Sequence, residues 1–538
     1  MFSLVEAKAV VRKIISVLLC FVTVFALTSC QKTATSGNSA DSKNTVSGTA
    51  SEFDLLYCSK DTFDPYSCKT KQNFELSYLL FDPLVKLNNE YKSEYCLAQS
   101  VTLEGNRCSV VLKPVKFSDG SQLTPEDVEF SYKKAMGSTT TYKYALEDVK
   151  SVKVTGENTL VFELSKNDPY FVSVLDFPIL KKGSDTLKNS DNKPLPPIGT
   201  GRYILSEDLS QLICNKNYFG GSVGLSKIGL VDSPDEESNY QNAEAGIIDY
   251  YYSDLSTAHY PKMKGNTVSV NLSNLVFLGV NKNRRYLSQV LFLQSVSSII
   301  DRTDICKSSY YGNATPALSP YPEYFEPAKD YQNLLATPNL DSAKQNFEKM
   351  GYTQKDADGY YKSGDRVVAI SLLVNSDNSV RVAAAQNIAA ALKNFGIKCT
   401  VVQESYAAYT SRIASGNYDL YLGEVRLLNN MDISKLLGMV KGVAESTDKT
   451  SSTSSKTDSS QEGSAKQETN NAITVSQAVT KFYKGSITLG DLITVCNSDL
   501  FVIPVCHRKG LVSYSQSVKA TLAPSASDLF YGFENITG

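Results

Sequence analysis

Val115-Lys116-Phe117-Ser118-Asp119-Gly120-Ser121-Gln122-Leu123-Thr124-Pro125-Glu126-Asp127-Val128 is the stretch that decides the fold. Phe117 to Gly120 reads as a turn feeding a helix. Thr124 suits the N-cap and Pro125 the first helical position, and Glu126 and Asp127 complement the positive end of the helix dipole. Val128, Tyr132 and Ala135 supply the apolar face. Outward from this helix, Cys108 to Leu112 reads as a strand on one side and Leu160 to Leu164 alternates as a strand on the other. Farther on, Val380 to Phe395 is an Ala-rich helix ended by Gly396, followed by strands at Ile397 to Val402 and Tyr418 to Leu422. Strand–helix–strand order predicts an α/β protein with substantial parallel pairing. A chain of 538 residues predicts two or three core-sized units.

At the start of the chain, Lys8, Arg12 and Lys13 precede an uncharged run of 14 residues from Ile14 to Leu27, while a spanning helix needs roughly 20. Basic residues, apolar run and Leu27-Thr28-Ser29-Cys30 together resemble a bacterial lipoprotein signal peptide. That resemblance implies removal of residues 1–29, lipid on Cys30, and work at the extracellular face of the bacterial cytoplasmic membrane. A plain membrane anchor is the alternative, and Glu6 leaves open a start near Val10 or Val11. Residues 30–51 and Glu445 to Asn471 are rich in Ser, Thr, Gly, Asn and Lys, too polar to build a core. The first is expected to be a disordered tether and the second a disordered surface insertion.

The net charge of −2 becomes −4 once the leader is set aside, which argues against a nucleic-acid binder needing a basic stripe. Nine cysteines follow Cys30: Cys58, Cys68, Cys96, Cys108, Cys214, Cys306, Cys399, Cys496 and Cys506. They are odd in number and scattered without C-x-x-C, so a thiolate metal site has no support. Buried thiols are the expected state, with Cys58–Cys68 and Cys96–Cys108 left open as bridges.

Catalytic motifs are thin. Gly220-Gly221-Ser222-Val223-Gly224 matches G-x-S-x-G, but Leu225 to Leu230 after it reads as a strand rather than a helix, and a triad would need His259 or His507. Ser131-Tyr132-Lys133-Lys134 has no partners. Gly199-Thr200-Gly201 lacks the third glycine of a dinucleotide loop, and neither a P-loop nor H-E-x-x-H occurs. No metal, cofactor or enzymatic activity is expected, and binding fits better than turnover.

Several segments in order resemble the family 5 extracellular solute-binding proteins, the oligopeptide-, dipeptide- and nickel-binding receptors of ATP-binding-cassette importers. Phe63-Asp64-Pro65 with Leu80-Phe81-Asp82-Pro83-Leu84 is similar to the family's opening pair. Val115 to Val128 resembles its most specific signature. Pro197 to Tyr203 resembles its "GTGPY" turn with Arg202 in place of proline, and Asn217 to Gly221 its "N-x-x-Y-W-G-G" loop. Ala245 to Asp249, Val280 to Arg302, Ala343 to Tyr352, Gly416 to Asp419 and Ile503 to Val505 continue the match.

The resemblance implies a two-lobed periplasmic-binding-protein-like fold (type II, cluster C) with an extra subdomain in the first lobe. Lobe I is then Glu52 to Tyr78 and Leu195 to Phe277, with Leu79 to Pro194 as the extra subdomain. Lobe II is Leu278 to Ser498, and Asp499 to Gly538 returns to lobe I. Closure of the lobes captures a short peptide and delivers it to permease and ATPase subunits; a monomer is expected. A receptor for a nickel chelate, a sugar or another small solute, or a ligand sensor, is the alternative.

By position in the family, the ligand contacts are Tyr66 and Lys69 in the loop after Asp64-Pro65, Asn274 and Phe277 on a strand facing the ligand backbone, and Arg426, Asn429, Asn430 and Asp432. Arg426 could grip a carboxylate through its planar fork, or form an ion pair at the lobe surface or hinge. Asp432 could take a ligand's α-amine, or cap the segment Ile433-Ser434-Lys435-Leu436-Leu437. The tryptophan common in this region of peptide binders is absent.

Overall fold

The computed structural model describes residues 53–190, 192, 194–257, 260–440 and 473–536. The signal-peptide segment 1–29, Cys30, the 30–51 tether and the 445–471 insertion lie outside the described residues.

The deciding stretch folds as its residues dictate. Gly120 adopts φ +88°, which the tight turn requires. Asp119 Oδ1 accepts from Ser121 N at 3.0 Å, and Phe117 is wholly buried. The helix Pro125–Gly137 follows. The Asp127 carboxylate accepts from both Thr124 N and Thr124 Oγ1 at 2.8 Å, so the first turn is held from its own side chains. The helix at Ser379–Phe395 ends on Gly396 with φ +117°, and strands Arg107–Leu112, Thr159–Leu164, Lys398–Glu404 and Leu420–Arg426 lie where alternation put them.

Three larger sheets carry the architecture. One four-stranded sheet runs Asp54–Tyr57, Lys227–Asp232, Gln211–Cys214 and Tyr203–Leu205, in that order. A second, antiparallel throughout, is made of Ala98–Glu104, Arg107–Leu112, Thr159–Leu164 and Val149–Gly156. A seven-stranded sheet runs Tyr250–Ser253, Val502–Ser515, Gly265–Val280, Leu420–Arg426, Ala369–Asn375 and Lys398–Glu404, with Ala314–Pro316 also on Val502–Ser515. Parallel pairing is scarcer than expected. Among the described strands it joins Asp54–Tyr57 to Lys227–Asp232, and Ala369–Asn375 to its two neighbours. The helix Ser379–Phe395 does join two parallel neighbours, Ala369–Asn375 and Lys398–Glu404, but Leu420–Arg426 pairs past Lys398–Glu404 with Ala369–Asn375 and with Gly265–Val280, so longer-range pairings set most of the order.

Gly265–Val280 and Val502–Ser515 form one long antiparallel ribbon, from Gly265 opposite Ser515 to Gly279 opposite Val502, with irregularities between Asn271 and Leu275 and between Val276 and Phe277. Gly265–Val280 lies wholly in the seven-stranded sheet, so sheet membership runs past the division expected at Phe277. Alternation along this strand feeds two cores. Leu275 and Phe277 join the core shared with lobe I, while Val276, Leu278 and Val280 join the one under Phe292, Phe347 and Ile388. The chain then returns to lobe I. Arg202, in the turn where relatives carry proline, is almost fully buried and donates to the Phe530 carbonyl at 2.6 Å. It also pairs with Asp528, whose second cation is Lys86 at 3.2 Å.

All nine cysteines from Cys58 to Cys506 are free thiols, so the two bridges left open do not form. Burial pushes the Cys68 and Cys108 thiols up to about 12, which removes their nucleophilic form at neutral pH.

Candidate functional site

The first helix, Lys71–Leu80, has two stripes. Gln72, Asn73, Leu76, Leu79 and Leu80 face the core. Lys71, Phe74, Glu75 and Tyr78 stand at i, i+3, i+4 and i+7, which places them on one face, and all four line a cavity of about 340 Å³. Tyr251, Tyr252 and Asp254 close it from the segment joining the lobes, Ala526 and Leu529 from the C-terminal return, and Arg426 from lobe II. A smaller cavity of about 100 Å³ shares Phe74, Tyr78, Arg426 and Ala526, and adds Tyr142 and Asp176 of the extra subdomain and Leu428 and Asn429 of lobe II. The two form one cleft, to which the helix Lys71–Leu80, the strands Tyr250–Ser253 and Leu420–Arg426, Tyr142 and Asp176, and the C-terminal Ala526 all contribute.

Arg426 stands where the two cavities meet. It ends the strand Leu420–Arg426, opposite Asn274. Its side chain remains accessible, and Tyr91, Tyr252, Tyr78 and the Asp176 carboxyl stand around it. Among the described residues its guanidinium has no ion pair or hydrogen bond. A guanidinium accessible in a cleft without a partner is five donors awaiting an acceptor.

Two carboxyls of the cleft are shifted by burial. Burial pushes Asp176 up to about 7 against the pull of Arg426 and the hydrogen bonds it accepts, including one from Asn429 Nδ2 at 2.6 Å. Burial likewise pushes Glu75 up to about 7. The Lys71 ammonium stands 3.6 Å from Glu75 Oε1, and this oxygen accepts no hydrogen bond. Lys71 is committed elsewhere: its ammonium donates to the Tyr252 carbonyl at 2.6 Å and lies over the rings of Tyr251 and Tyr252.

Of the residues expected here, Arg426 and Asn429 line the cleft. The others have different partners. Tyr66 is buried and donates to the Pro178 carbonyl. Lys69 is exposed, and only its backbone is engaged, on Asp61 at 2.7 Å. Asn274 donates to Glu424 Oε1 at 2.7 Å. Phe277 has no exposed surface and packs edge-on against Tyr421 with ring centres 5.7 Å apart. Asn430 is buried and donates to Asp168 at 2.7 Å. Asp432 pairs with Lys166 at 2.7 Å and accepts from Ser434 N at 2.7 Å, while the N-cap of the short helix Ser434–Leu437 is Ile433. Sequence reasoning missed Glu75, Tyr78 and Asp176. The helical spacing of the first two was a usable signal, while Asp176 follows a short 3-10 turn with no motif around it.

The hydrolase pattern finds no histidine partner among the described residues, and His259 lies outside them. Ser222 is exposed in a loop, and His507 is buried beside the Pro320 carbonyl, where burial pulls it down to about 4. A Cβ on Gly224 would meet the Ile536 carbonyl oxygen at 1.6 Å, so close packing explains that glycine. Among the described residues no group of three or more His, Cys, Asp or Glu is placed to hold a metal ion.

The family model described as bacterial extracellular solute-binding proteins, family 5 Middle, matches residues 93–439. The chain belongs to this family. Among family 5 proteins it is 25% identical over 374 residues to the oligopeptide-binding protein AppA of Bacillus subtilis, covering 64% of this chain and 67% of AppA. It is 27% identical over 293 residues to the nickel-binding protein NikA of Staphylococcus aureus, covering 51% of this chain and 56% of NikA. The crystal structure of a nickel ABC transporter protein from Bacillus halodurans superimposes with a TM-score of 0.69 at 17% identity, covering 90% of this chain and 99% of that one. The two-lobed fold of family 5 is therefore the fold of this chain, as its motifs implied.

Proposed function

We propose that this protein is the capture receptor of an ATP-binding-cassette importer for short peptides, held outside the cytoplasmic membrane by lipid on Cys30 and passing its ligand to a permease. The observation that carries this reading is the unpaired Arg426 guanidinium in an aromatic cleft between the lobes. A peptide's terminal carboxylate matches that planar fork. Tyr78, Tyr142 and Tyr252 offer apolar area with a polar tip for side chains of varied kind. The larger cavity lies at the small end of the roughly 300–1,000 Å³ typical of ligand pockets, which favours short ligands. AppA, named for oligopeptides, supports the same reading.

Native mass spectrometry of the protein purified without denaturation tests it. A heterogeneous set of adducts at short-peptide masses is expected, and a single non-peptide or metal-bearing mass would reject it. The second reading, a metal chelate, draws on the relative named for nickel and on Arg426, which would grip a chelator's carboxylate equally well. The anchor is tested separately: Cys30→Ser should release the protein from the membrane fraction.

A further inference from the structure

The acid expected to receive a ligand's amine was Asp432, but its carboxylate is occupied by Lys166 and by Ser434 N. Asp176, the carboxyl near Arg426, is engaged by Asn429. Glu75 differs from both. It lines the larger cavity with Arg426, and one of its oxygens accepts no hydrogen bond. The one nearby ammonium, Lys71, is directed at the Tyr252 carbonyl and two aromatic faces. Glu236 and Asp254 line the same cavity, and Arg426 lines both it and the smaller one. Such a site carries charges of both signs.

We propose that Glu75 is the group that receives the ammonium of the ligand while Arg426 takes its carboxylate, so that the cleft selects a short zwitterion with both ends free. This rests on reading the cleft as the ligand site, and it places amine recognition on the first helix of lobe I. A buried carboxyl with one partner missing gains more from an incoming ammonium than a satisfied one does. Charge at both ends also disfavours neutral sugars and end-blocked peptides, because each would leave a charge of the cleft unpaired.

The groups facing Glu75 are Lys71 and Tyr78 on its own helix, Tyr250, Tyr251 and Tyr252 on the joining strand, and Asp254 beyond it; Glu236, Tyr240 and Arg426 line the same cavity. Burial and the Asp254 charge keep part of Glu75 protonated near neutrality, against the pull of Lys71. Capture of an ammonium therefore strengthens as pH rises through about 7. It weakens again where a peptide amine loses its own proton, at roughly 7.7–8.0. Asp176 titrates in the same range, so the pH profile alone does not separate the two carboxyls, whereas end-blocked ligands do.

The test measures binding of an equimolar tripeptide mixture, its N-acetylated form and its C-amidated form to the purified protein. Wild type should prefer the free mixture over the acetylated one by about thirtyfold or more. Glu75→Gln should collapse that preference to within about threefold and keep the preference over amides; Arg426→Met should do the reverse. Glu75→Asp, which keeps the charge, should retain part of the discrimination, and thermal melting confirms that each variant is folded. If Glu75→Gln keeps the full preference over acetylated peptides, this inference falls and the peptide receptor stands. If wild type binds none of the three mixtures, whether or not it binds a nickel–histidine complex, the peptide reading falls and takes this inference with it.

Discussion

Asp432 and Lys166 lie 2.7 Å apart and join lobe II to the extra subdomain beside the cleft. Lys166 also pairs with Asp148 at 2.9 Å and lies 4.1 Å from the centre of the Tyr483 ring. Asn430 to Asp168 and Asn429 to Asp176 run alongside, so one short segment of lobe II is tied to the subdomain by three side chains. Ligand binding that draws these segments together would share the ties. Lys166→Met should therefore weaken ligand affinity about fivefold, in line with a half-buried pair worth about 1 kcal/mol. Calorimetry reads the affinity, and X-ray scattering should show a larger radius of gyration without ligand.

Arg426 separates binding from folding, since its guanidinium has no partner among the described residues. Arg426→Met should lower peptide affinity by a factor of about 30 or more, with the melting temperature unchanged within about 2 °C. Equal loss of stability and affinity would show that the arginine holds the lobe together instead.

Arg202 does the opposite. It is buried against Asp528 and the Phe530 carbonyl and pins the C-terminal return to lobe I. Arg202→Met should cost about 3 kcal/mol in urea denaturation, since it removes one cation from a buried carboxylate. Lys86, the second cation on Asp528, keeps the loss from being larger.

His507 sets an acid limit. Burial holds it neutral down to about 4. Between its ordinary value of 6.5 and about 4, the unfolded chain binds a proton that the folded chain refuses. Stability is present above this window, falls as pH drops through it, and levels off below, a loss of up to about 3 kcal/mol. Urea denaturation at three pH values across the window should show this slope, and His507→Gln should flatten it.

Gly224 and Ser222 test the rejected hydrolase reading. Gly224→Ala should destabilise the protein, because its new Cβ meets the Ile536 carbonyl oxygen. Ser222→Ala should change neither stability nor ligand binding. Loss of a measured hydrolase activity in Ser222→Ala would reverse this.

What could be read from the sequence was whatever a few neighbouring residues decide. Thr124, Pro125 and Asp127 start a helix within four positions, and the structure has it. Gly396 ends another by adopting a backbone angle that side chains disfavour. The family motifs, each local, also carried the two-lobed fold. Strand neighbours were harder, and parallel pairing was overestimated, because pairing is settled between segments far apart in the chain.

The cleft shows where local reading stops. Lys71, Phe74, Glu75 and Tyr78 have the spacing of a helix face, but so do the residues on the opposite, buried stripe. Asp432 reads equally as a ligand anchor or a cap until Lys166, 266 residues away, takes its carboxylate. The sequence by itself determined the elements, their caps and the family fold, since these rest on backbone geometry and short-range hydrogen bonds. Only the tertiary structure decided which charges are satisfied and which face the cleft unpaired, because a buried charge's state depends on partners that chain folding alone brings within reach.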